Sequence, residues 1–113
     1  MKDHRFIGEI AALNNEKKFS INILESAWYT FFDRQLRHMR QEYNRRYIAI
    51  WRKYMRLPED LERRLDIMWQ DCRRKTAAKF IYQMNILGPF TLVMMYWHCY
   101  QQEALNYAKS HIN

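Results

Sequence analysis

Residues 28–58 read WYTFFDRQLRHMRQEYNRRYIAIWRKYMRLP, with no glycine anywhere and no proline before the last position. Apolar side chains recur there at Trp28, Phe32, Leu36, Met39, Tyr43, Tyr47, Ile50 and Tyr54, in steps of 4, 4, 3, 4, 4, 3 and 4. That is the period of an α-helix with one buried stripe. Upstream, Asn22 and Glu25 have capping-box spacing, with Ser20 as a rival cap. The spacing predicts a helix over 22–56, about 50 Å long at 1.5 Å per residue. Leu57-Pro58 stops it, because a residue before proline avoids the helical region.

The flanking segments repeat the pattern. After Pro58, Glu59, Asp60 and Glu62 place negative charge at the positive end of a new helix. Its stripe is Leu61, Leu65, Met68, Trp69, Cys72, Thr76, Phe80 and Leu87, and Gly88-Pro89 closes it. Val93, Trp97, Tyr100, Ala104 and Ala108 mark a further helix to about His111, apolar nearly all round in its first half. Phe6, Ile7, Ile10 and Leu13 mark a short one at the start, weakened by Gly8, before a polar connector at Asn14–Lys18. The pattern predicts an all-α fold: a small helical bundle of three main helices, about 22–56, 59–87 and 91–111, plus a short N-terminal helix, in one domain spanning 1–113.

Composition agrees. Gly and Pro number two each in 113 residues, too few for the tight turns of an all-β fold. A hydrophobic fraction of 49% and an aromatic fraction of 16% belong to a chain with a packed core. The longest apolar run, Phe90 to Trp97, is far shorter than the roughly 20 residues that span a bilayer. No apolar run follows a basic start, so the expectation is a soluble cytoplasmic protein with no membrane role. The two cysteines, Cys72 and Cys99, are no disulfide framework, and they are read as reduced thiols in or beside a core, with a single bridge as the alternative.

Charge supplies the functional signal. Residues 33–79 hold 14 Lys/Arg against 7 Asp/Glu, while the remaining 66 residues hold 5 of each. The whole net charge of +7 therefore sits in one stretch, with 11 of the 12 arginines. Arg34, Arg37, Arg45, Arg52 and Arg56 fall in a sector opposite the apolar stripe around Phe32, Tyr43 and Ile50. Internal pairs at i,i+4 are expected for Asp33–Arg37, Glu42–Arg46, Glu59–Arg63, Asp60–Arg64 and Asp71–Lys75. A charged helix face is by default a solvated one. An excess that is one-sided and arginine-selective points instead to a polyanion, since the guanidinium fork binds oxyanions bidentately.

The candidate binding residues are thus Arg34, Arg37, Arg45, Arg52 and Arg56, extended by Arg73 and Arg74, with Trp51 as an exposed aromatic contact off the stripe. Ile48 and Met55, apolar on the basic side, hint at an interface. The expected partner is nucleic acid, read with little sequence specificity, or an acidic protein surface; the apolar 90–100 segment is compatible with a homodimer. No catalytic role is expected. His4, His38, His98 and His111 are scattered, no metal-ligand spacing or phosphate loop occurs, and no cofactor or metal is implied.

Overall fold

The computed structural model describes residues 2–16, 29–83 and 89–112, with the side chains of 29–35, 77–83 and 89–93 outside the description. Among the described residues there are four helices: α1 Lys2–Asn14, α2 Tyr29–Tyr54, α3 Leu61–Gln83 and α4 Pro89–Ser110. There is no strand among the described residues. The expected start of the second helix near residue 22 lies outside them.

Local sequence explains the ends. Met55 still donates its N–H to the Trp51 carbonyl at 2.7 Å, and then Leu57-Pro58 breaks the ladder. Asp60 turns the chain into α3 with a positive φ of 60°, and its carbonyl accepts the Arg64 N–H at 2.9 Å. Aspartate is among the few residues that visit this left-handed region at modest cost. Pro89 opens α4 at the position where its missing N–H and fixed φ suit a helix start. Gly8 does not interrupt α1; it faces solvent in mid-helix.

The buried side chains come from all four helices. They are Phe6, Ile10 and Leu13 of α1, and Leu36, Met39, Tyr43, Tyr47 and Trp51 of α2. They are joined by Leu61, Leu65, Met68, Trp69 and Cys72 of α3, and by Trp97, Tyr100, Ala104 and Ala108 of α4. Aromatic rings connect end to end through this core. Phe6 meets Trp51 edge-on at 4.9 Å, Tyr43 meets Trp97 at 5.4 Å, and Trp69 meets Tyr100 at 5.2 Å. Edge-to-face rings add about 0.5–1.5 kcal/mol each beyond the area they bury.

Three buried tyrosines need acceptors, and each finds one on another helix. Tyr43 donates to Asn14 Oδ1 at 2.5 Å, and Asn14 Nδ2 donates to the Gln101 carbonyl at 3.1 Å. Asn14, expected in a connector, therefore closes α1 and ties it to α2 and α4. Tyr47 donates to the Ala104 carbonyl at 2.6 Å, an approach the small alanine permits, and Tyr100 donates to Asn44 Oδ1.

The thiol reading is corrected. Cys72 and Cys99 are joined in a disulfide between α3 and α4, with Cα atoms 5.7 Å apart. Short connections make α3 and α4 an antiparallel hairpin, which sets these two positions at the same level. The bridge closes a loop with a sequence separation of 27, which the chain-entropy argument values at about 3–4 kcal/mol. Reduction, or the double change Cys72→Ser and Cys99→Ser, should lower the unfolding free energy by about that amount in urea titrations.

Burial pushes the phenols of Tyr43, Tyr47 and Tyr100 well above the ordinary value, which is about 10. Above that pH the unfolded chain releases protons that the native state still holds, so stability falls as pH rises. Below it the contribution is fully present. With three such groups the slope should approach 4 kcal/mol per pH unit, roughly 1.4 for each. Urea midpoints taken between pH 8 and 11.5 check this, and Tyr47→Phe should remove about a third of the slope.

Candidate polyanion-docking face

Neighbouring helices decide which sides of α2 are covered. Arg46 makes a bidentate pair with Glu16, and Lys53 reaches Glu9 of α1 at 3.3 Å. On the other flank Arg40 reaches Asp66 of α3 at 3.3 Å and lies over the Trp69 ring, 5.3 Å from its centroid. At 100° per residue, Arg45 and Arg52 point away from both flanks, beside His38, Gln41 and Ala49, while Arg56, expected on the same helix, lies two residues past the end of α2 at Tyr54. All six are exposed. Arg37 is exposed as well, turned toward the α3 side. From Arg37 to Arg52 the row runs about 22 Å along the helix.

The α3 side contributes further. Arg73 stands two turns beyond Asp66 on the same side of α3, so it edges the α2–α3 seam, exposed. Arg63 and Arg64 are exposed too. Arg34 belongs to α2, but its side chain lies outside the described residues.

Ion pairing sorts the cations. Among the described residues, Arg40, Arg46, Lys53, Arg74 and Lys75 have acidic partners. No described acid pairs with Arg37, Arg45, Arg52, Arg56, Arg63, Arg64 or Arg73. The expected intrahelical pairs are redrawn. Arg46 takes Glu16, two residues past the end of α1, and that hydrogen bond raises its pKa further. Asp71 takes Arg74 at i,i+3, while Lys75 crosses to Glu103 of α4 at 3.0 Å. Glu59–Arg63 and Asp60–Arg64 are not among the ion pairs of the described residues, and Asp33 lies outside the described side chains. Arg74 is thus already engaged.

Trp51 requires correction. It is 1% exposed, not a surface contact. It packs on Phe6 of α1 and, edge-on, on His111 beyond α4 at 5.2 Å, with Tyr107 at 6.0 Å. The reason is geometric: α1 and α4 pack against each other and both reach Trp51, so the buried arc of α2 is wider than a single stripe. Ile48 and Met55 likewise pack partly buried against the core rather than standing at a free interface. Leu57 is exposed just past α2, and the most exposed large apolar side chain among the described residues is Ile67, at 42%, on the outward line Arg63, Ile67, Gln70, Arg74 of α3. Its 4, 3, 4 spacing was legible in the sequence, where the core stripe drew attention instead.

The histidines do not converge: His4, His38 and His98 stand exposed and His111 packs at a tilt against Tyr107 at 4.6 Å. No helix among the described residues is long and apolar enough to cross a membrane. No family model matches the chain, and neither a curated protein nor a solved structure matches it.

The division between structural and free arginines is measurable. Arg45→Gln with Arg52→Gln should leave the unfolding free energy within about 0.5 kcal/mol of the parent. Arg40→Ala should cost roughly 1 kcal/mol through its lost stacking and ion pair. Parallel urea titrations compare them.

Proposed function

We propose that this protein is a non-enzymatic binding module of the cytoplasm that docks on nucleic acid through the outer face of α2. Arg37, Arg45 and Arg52 of α2, with Arg56 just past its end, carry the contact, and Arg73 extends it across the α2–α3 seam. The observation behind this reading is that these guanidinium groups are exposed and without an acidic partner among the described residues, while the flanking cations are neutralised. Free forks in a row favour phosphates over base edges, and phosphate contacts carry no sequence information. With Trp51 inside the core, no aromatic among the described side chains of this row is exposed to stack an unpaired base. That tilts the proposal toward duplex backbone rather than single strands.

Counter-ion release supplies the test. Binding to a labelled 20-base-pair duplex, followed by fluorescence anisotropy between 50 and 200 mM salt, should give a log–log slope of roughly −4 for four arginines. Arg45→Gln with Arg52→Gln should bring the slope to about −2. An affinity that does not change with salt rejects the reading.

A second reading, an inhibitor or adaptor that docks on an acidic protein, is favoured by one observation. Ile67 is exposed among Arg63 and Arg74, and apolar–arginine mixtures suit protein interfaces more than phosphate backbones. A partner that co-purifies after nuclease treatment, and is lost on Ile67→Asp, would select it.

A further inference from the structure

The α3–α4 seam carries two fasteners at one place. The covalent one joins Cys72 to Cys99. The ionic one joins Lys75 to Glu103, whose Cα atoms sit about one turn to either side of the bridge, so the ion pair crosses its level. A carboxylate oxygen of Glu103 lies within 4.8 Å of both sulfurs. The two cysteines differ in access: Cys72 is fully buried, while Cys99 is partly exposed. The fold around them does not depend on the bridge for a core. Leu65, Met68, Trp69, Trp97 and Tyr100 already pack this seam, and a domain of this size buries enough surface without a staple.

We propose that the Cys72–Cys99 cystine is a thiol-exchange site, with the Cys99 sulfur as the point of attack for a protein dithiol reductant. The thiolate of the reductant forms a bond to Cys99 Sγ, and the Cys72–Cys99 bond breaks. Cys72 leaves as a thiolate and takes up a proton. The second thiol of the reductant then attacks the mixed disulfide and releases Cys99, which is protonated in turn. Two electrons and two protons pass to the cystine, and the reductant ends as a disulfide. Burial directs the attack, because Cys72 offers no surface to a protein-sized nucleophile. The Glu103 carboxylate beside the sulfurs repels an incoming thiolate and moderates the rate, with Lys75 offsetting part of that charge. This site is independent of the docking face and stands whether or not the protein binds nucleic acid.

The test uses the full chain in its oxidised form. A thioredoxin-type dithiol protein whose resolving cysteine is replaced by serine should trap a mixed disulfide, and peptide mass spectrometry should place it on Cys99. Equilibration in buffers of reduced and oxidised glutathione should interconvert dithiol and cystine reversibly, with helical circular dichroism unchanged throughout. Glu103→Gln should accelerate reduction several-fold. Trapping on Cys72, reduction that occurs only together with loss of helix, or a bridge that stays closed at every glutathione ratio would each overturn the proposal.

Discussion

A buried phenol must find an acceptor, and here that requirement sets the relation between helices. Tyr43, Tyr47 and Tyr100 are enclosed by aromatic neighbours, so each hydroxyl left unpaired would cost about 1–3 kcal/mol. Their acceptors are Asn14 at the end of α1, the Ala104 carbonyl on α4, and Asn44 on α2. A shift of one helix by a single residue would break at least one of these bonds. Helix α2 is held by α1 and α4 together, and this fixes which of its faces is left to solvent.

That constraint explains where the charge ends up. Acids on α1, just past its end and on α3 meet cations on the covered flanks of α2: Glu9 with Lys53, Glu16 with Arg46, Asp66 with Arg40. Exposed pairs of this kind contribute little stability. Their consequence is spatial. They neutralise the margins and leave the outer row of Arg37, Arg45 and Arg52 as a positive field with nothing opposite it among the described residues. A basic row on an isolated helix would be ordinary solvation. A basic row bounded by neutralised flanks is a surface with one sign and a defined edge, which is what electrostatic docking uses.

The helices were legible because their signal is local. A repeat of 3.6 residues and breakers such as Leu57-Pro58 need no knowledge of the rest of the chain. The site was legible only where burial follows from one stripe. Arg45 and Arg52 sit opposite Tyr43 and Tyr47 on any wheel, and both are exposed. Trp51 was misread because its burial depends on Phe6 and His111, brought in by helices that a single-helix wheel does not contain. The Arg46–Glu16 pair spans 30 positions, and no i,i+4 rule can see it. The cystine is of the same kind: spacing within the chain says nothing of two helices meeting at Cys72 and Cys99.

The claim on which the functional account rests is that the outer arginines of α2 and of the segment just past it, and not the flanking ones, meet the polyanion. Side-chain Nε–Hε resonances of arginine, followed by NMR while a DNA duplex is added at low salt, address it residue by residue. The account predicts shifts at Arg37, Arg45, Arg52 and Arg56, with Arg46 and Arg74 unmoved. Shifts confined to the neighbourhood of Ile67, or no shift at any arginine under a saturating excess of duplex, would contradict it.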